Sequence, residues 1–141
     1  MRMIIEARLE DESGSSKTVE LFFAERSTST ETVGLTLAEG RSLMARAQQY
    51  LVRAQCLSMA EAHSYCEYCD TRLSRKGWHE RQIRTVYGRV TVPSPRLRRC
   101  SCERLRPGST FSPLNRVLPF RVTQELEYLQ VKWAAQLPYA A

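Results

Sequence analysis

Acidic residues nearly vanish from the middle of this 141-residue chain: between positions 71 and 106 only Glu80 and Glu103 stand against eleven Lys/Arg. That segment carries +9, whereas residues 1–70 carry −4 (seven Lys/Arg, eleven Asp/Glu) and residues 107–141 carry +1, so the net +6 belongs to one stretch. A merely solvated face mixes both signs. One-signed charge this concentrated suits a polyanion instead. Long apolar runs are missing too. None approaches the ~20 residues that span a bilayer, and the opening Met1-Arg2-Met3-Ile4-Ile5-Glu6 turns charged before a signal-peptide core can form. No membrane partner is expected, and the chain is read as cytoplasmic. With 43% hydrophobic residues it has enough apolar material for a core of its own.

Five cysteines are present, an odd count that in a reducing compartment favours ligands or buried thiols over disulfides. Cys66-Glu67-Tyr68-Cys69 and Cys100-Ser101-Cys102 flank 30 residues that hold most of the positive charge, and Cys56 is left over. Two thiolates spaced by two residues close on one Zn²⁺ from a single knuckle, and a second close pair can complete the tetrahedron from elsewhere. Four cysteines leave no open position, so such a site is structural rather than catalytic. The expected ligands are Cys66, Cys69, Cys100 and Cys102. The 30-residue gap and the Cys-x-Cys form of the second pair depart from the commonest ribbon, and Asp70 stands where a knuckle tends to carry Gly. A metal-free ribbon, or His63 or His79 in place of one cysteine, therefore stays open.

Period-two alternation of Met3, Ile5, Ala7 and Leu9 with charged neighbours, and a second apolar run at 19–24, predict a β-hairpin turning at 11–16. A polar stretch at 27–32 follows. Thr36-Leu37-Ala38-Glu39 fits a capping box and predicts a helix to about position 62, with Leu43, Met44, Ala47, Leu51 and Ala54 as its apolar stripe. Beyond Cys69, strands at 82–86 and 89–92 are expected to join at Tyr87-Gly88, to stop at Pro93 and Pro95, and to be followed by a third strand at 97–100. Residues 106–113 read as a loop. A final helix is expected, capped by Thr123, carrying Leu126, Leu129 and Trp133 and ended by Pro138. The fold class is α+β: a hairpin and long helix over 1–62, a basic zinc-ribbon-like module over 63–106, and a loop plus short helix over 107–141.

The ordered series Cys66-x₂-Cys69, Lys76-Gly77, Arg84-Thr85-Val86-Tyr87-Gly88-Arg89-Val90, Ser94-Pro95-Arg96, Cys100-x-Cys102, Ser112-Pro113-Leu114, Leu118-Pro119 and Thr123-x-Glu125-Leu126-x-Tyr128-Leu129-x₂-Lys132-Trp133-Ala134 resembles the amino-terminal region of ISKra-family insertion-sequence transposases. The resemblance extends to the early hairpin and the helix start at Gly34-Leu35-Thr36. It implies a zinc-containing, DNA-recognising region that precedes an RNase-H-like catalytic domain, whose three acidic residues hold divalent metal. Such chemistry gathers carboxylates around two metal ions. After Asp70 only Glu80, Glu103, Glu125 and Glu127 remain, so no catalytic residue is assigned.

The resulting expectation is a truncated or amino-terminal portion of a DNA transposase that binds the element's ends and associates with the nucleoid. Its expected DNA contacts are Arg72, Arg75, Lys76, Arg81, Arg84, Arg89, Arg96, Arg98 and Arg99, because Arg suits forked bonding to phosphate. A small-molecule substrate is not expected. The alternative is a protein-interaction fragment whose 36–62 helix pairs with itself or with a full-length transposase as inhibitor or assembly subunit.

Overall fold

A computed structural model describes residues 1–27, 33–103, 105–106 and 108–137. The polar residues at 28–32, Pro107 in the expected loop and Pro138 as the expected helix stop lie outside the described residues. The chain is α+β and divides into two compact units, Met1–Leu51 and Val52–Ala141. Among the described residues no helix is long and apolar enough to cross a membrane.

In the first unit β1 (Arg2–Glu10) and β2 (Ser16–Glu25) form the expected antiparallel hairpin. Its turn is organised by Asp11, whose Oδ1 accepts from the Ser13 N–H at 3.0 Å, the Ser13 hydroxyl at 2.6 Å and the Ser15 N–H at 2.9 Å, while Gly14 takes φ 80°. A bulge between Ile5 and Glu6 leaves Leu21 without a partner in the register. Bulges break the in–out alternation. That is how Leu21 and its neighbour Phe22 are both buried. The open end of the hairpin is tied by Met1 and Arg26, each backbone nitrogen donating to the other's carbonyl at 2.9 Å.

Helix α1 (Leu37–Ala62) starts at the capping box. The Thr36 hydroxyl accepts from the Glu39 N–H at 3.2 Å, and the Glu39 carboxylate accepts from the Thr36 N–H at 2.9 Å. Arg26 reaches the same carboxylate at 2.6 Å and 2.7 Å. The Thr36 backbone donor first, and the Arg26 guanidinium after it, hold the Glu39 carboxyl below its ordinary value.

The core of the second unit shows which face of α1 does the packing. Val52, Cys56 and Ala60, spaced by four, are buried with Ile83, Val90, Val92 and Leu114. Of the expected stripe, Met44 and Leu51 stay exposed and Leu43, Ala47 and Ala54 are half-buried, so core packing selects the neighbouring Val-Cys-Ala row instead. That row and Leu114 close the sheet's core, and residues 52–141 cluster as one compact unit.

Strands β3 (Arg75–Thr85) and β4 (Gly88–Arg98) are longer than expected and turn at Val86-Tyr87, with Gly88 at φ 115° beginning β4. Pro93 and Pro95 do not stop β4. The Arg98 N–H donates to Ser74 O on the β3 side and the Arg99 N–H to Ser109 O on the other side. Donors alternate along a strand, so the odd-numbered prolines lack an N–H only on the edge turned away from β3. The expected third strand at 97–100 is instead the end of β4, and the third strand is β5 (Thr110–Phe111), paired at Leu97 and Arg98 within the expected loop.

Next comes a short helix, α2 (Pro113–Val117), with Pro113 in its first turn and Leu114 at 0% exposure. The buried hydroxyls of Ser94 and Ser112 meet at 2.6 Å, joining β4 to the start of α2. Residues 121–123 then run beside β3, the Arg84 N–H donating to Arg121 O and the Thr123 N–H to Arg84 O. Helix α3 (Gln124–Gln136) begins after Thr123, whose hydroxyl makes no cap bond. Leu126 and Leu129 are half-buried and Trp133 is exposed.

Candidate metal centre and basic face

The four expected cysteines converge. The sulfurs of Cys66, Cys69, Cys100 and Cys102 all lie within 4.8 Å of one another, with Cys69 and Cys100 at 3.7 Å, and this cluster can hold a metal ion. Neither His63 nor His79 joins it: the His63 ring meets Met59 O at 2.9 Å, and His79 sits on β3 opposite Ser94.

The first pair stands on a tight knuckle. The Asp70 N–H donates to Cys66 O and the Cys66 N–H to Thr71 O, both at 2.9 Å, while Tyr65 and Arg72 bridge below. Asp70 takes φ 53° there. The left-handed region favours glycine, but Asp and Asn tolerate it through their short polar side chains. Asp70 thus makes the turn that the missing glycine would have made. The second pair is delivered from the end of β4, where the Glu103 N–H donates to Cys100 O at 3.1 Å.

Crowding separates the thiols. The Thr71 hydroxyl, 3.3 Å from the Cys69 sulfur, is the first cause that lowers this thiol to about 6, with the Thr71 backbone and neighbouring thiols acting the same way. Cys102 is pushed up to about 12 by its hydrogen bonds with Cys69 and Cys100 and by the negative charge next to it. A cation among these sulfurs displaces the protons they share.

Ion pairs flank the cluster, Arg116 to Glu67 and Arg99 to Glu103, both at 2.6 Å. Arg99 also lies over the Phe111 ring at 4.7 Å.

Eight of the nine expected DNA-contacting cations remain at or near the surface. Arg72, Arg75, Lys76, Arg84, Arg89, Arg96 and Arg98 are exposed and Arg99 is half-buried. Arg81 is not available for such a contact. It is 5% exposed, and its guanidinium donates to Asn115 Oδ1 at 2.6 Å, to Phe120 O at 3.0 Å and to Leu118 O. Strand parity is the reason. Arg81 lies on the same face of β3 as Ile83 and Thr85, whereas Arg84 points outward and faces Arg89 across the hairpin.

The surface cations fall into two groups: Arg84 and Arg89 near the hairpin tip, and Arg72, Arg75, Lys76, Arg96 and Arg98 towards the cysteines. Among the described residues Arg75, Lys76, Arg84, Arg89, Arg96 and Arg98 have no ion-pair partner. Arg121, absent from the expected set, adjoins Arg84 through the parallel bridge. Only that long-range backbone pairing brings it there, and no local pattern announces it.

No family model, no curated protein and no solved structure matches the chain.

Proposed function

We propose that this chain is a zinc-pinned DNA-binding module, the recognition portion of a DNA transposase of the ISKra kind. The observation that carries the reading is the framing of outward-facing, acid-poor cationic strands by four converging sulfurs. Zinc suits a closed four-sulfur set. A tetrahedral ion with its usual Zn–S length separates its sulfurs by about 3.8 Å, and the Cys69–Cys100 distance is 3.7 Å. Zn²⁺ here ties the knuckle to the end of β4 and stiffens the sheet between them. Lys76 and Arg84 are eight residue steps apart along the strand, roughly 26 Å, so the two basic groups fit within one turn of duplex, about 34 Å. Phosphate contacts of this sort position a protein without reading sequence.

Purified protein is expected to carry one zinc per chain and to bind duplex DNA with an affinity that falls steeply as salt rises. Metal-free protein with no DNA affinity at low salt would sink the reading.

A second reading has its own observation. Leu37, Met44 and Leu51, seven apart on α1, are all exposed, and a seven-residue apolar repeat is a helix-pairing pattern. The module then pairs with itself or with a full-length transposase. A strictly monomeric chain that captures no full-length relative ends that alternative.

A further inference from the structure

Beside α1 the second unit holds an open hollow of about 270 Å³ whose apolar lining plays no part in the phosphate contacts above, although Arg72 and Arg75 of that set also line it. Its floor is apolar, made by Leu57, Ala60, Leu73 and Leu97, and one wall is Trp78 backed by Pro95. Trp78 lies on the face of β3 opposite to Arg81, Ile83 and Thr85 and is 50% exposed, and the Arg75 guanidinium lies over its ring at 4.9 Å. Arg72 stands at the rim, paired with Glu61 at 2.7 Å. That pair is more than half exposed on both sides. Solvated pairs of this sort contribute little, so Arg72 can be drawn to another anion at little cost.

An aromatic wall, an apolar floor and two guanidinium groups at the mouth describe a flat π-system that carries negative charge. An aliphatic side chain would fill the floor but offer the two guanidinium groups no negative charge. Given the DNA reading proposed above, on which this step rests, we propose that the hollow receives one unstacked nucleobase of a DNA strand, stacked on Trp78 and Arg75, with its phosphate held by Arg72. A base inside an intact duplex has both faces covered and does not reach such a hollow. The module therefore prefers single-stranded or opened DNA over closed duplex, a preference that surface arginines alone do not confer.

The test uses the full chain with Trp133→Phe, which leaves Trp78 as its sole tryptophan. Titration with an oligothymidylate is expected to quench Trp78 emission, and a blunt duplex with as many phosphates is expected to bind without quenching it. Trp78→Ala should lose roughly 5- to 150-fold in affinity for the single strand, the range measured for one base–aromatic stack, and keep its duplex affinity. Trp78→Phe, which retains a π-face, should keep most of both. Unchanged single-strand affinity in Trp78→Ala, or equal quenching by duplex, overturns the base site while the DNA reading stands. Failure of the unsubstituted chain to bind either form at low salt overturns both.

Discussion

Truncating Arg81 to Ala distinguishes a structural arginine from a DNA-binding one. The guanidinium donates three hydrogen bonds, to Asn115 Oδ1, Leu118 O and Phe120 O, and so staples the segment 115–120 to β3. A hydrogen bond from a charged donor contributes about 1.5–3 kcal/mol, so the gross attachment is on the order of 5–9 kcal/mol. Two effects reduce the net. Burying the cation carries a desolvation penalty of several kcal/mol, which Arg81→Ala removes, and the Arg121 charge works against Arg81 in the same sense. The carbonyl of exposed Phe120 can also turn to water. A net loss of about 3 kcal/mol follows, which in a unit of this size lowers Tm by about 10–20 °C. Melting followed by circular dichroism reads the loss, and a salt titration of DNA binding below the melt reads the contact count. The expected result is a lower Tm with an unchanged salt slope. If Arg81→Ala melts like the parent and the slope falls by about one, Arg81 contacts phosphate and its assignment to the interior is refuted.

Arg84→Ala should do the opposite. It should reduce the salt slope by about one, and by removing a like-charge pair opposite Arg89 it should raise stability by about 0.2–1 kcal/mol. Substituting any one of the four clustered cysteines by Ser should drop bound metal well below one per chain, and a chelator should lower the Tm of the parent but not of the variant. In metal-free protein the thiolate absorbance near 240 nm is expected to appear as pH rises through about 6, from Cys69, and Thr71→Val should move it upward. Glu39 has a folded-state value below its ordinary 4.5, so its contribution is complete above 4.5 and is lost as pH falls through the folded value. Glu39→Gln should therefore flatten the acid limb of the stability curve and destabilise at neutral pH, while Thr36→Ala should cost about 1 kcal/mol.

Local rules carried much of this architecture. The Thr36–Glu39 box, the Asp11 turn and the span of α1 depend on residues within a few positions of each other, and all are legible in sequence. The convergence of the cysteine pairs was legible as well, because ligand spacing is a local pattern and a β-hairpin is a short way to bring its ends together. What stayed hidden depends on distant partners. Whether an arginine in β3 points in or out is set by register, and a shift of one residue would exchange Arg81 with Gln82. The burial of Val52, Cys56 and Ala60 in place of the richer Met44 and Leu51 row depends on where the sheet lies. Strand β5 and helix α2 were hidden for the same reason: two residues against Leu97 and Arg98, and one turn seated by Leu114, have no periodicity of their own. Asp70 shows the reverse error. Glycine is a sufficient answer to a left-handed position, not a necessary one.

Pro93 and Pro95 do more than fit into β4. Past the two residues paired with β5, no strand among the described residues is paired to the outer edge of β4, and an unpaired strand edge is the kind of template on which a foreign strand can dock and an aggregate can grow. An arriving strand would look there for amide donors and find two missing in succession, since each proline presents only a ring on that side. Crowded arginines deter self-association by repulsion only while salt is low, because exposed charges are screened. The two prolines give the sheet a protection against strand exchange that ionic strength does not weaken.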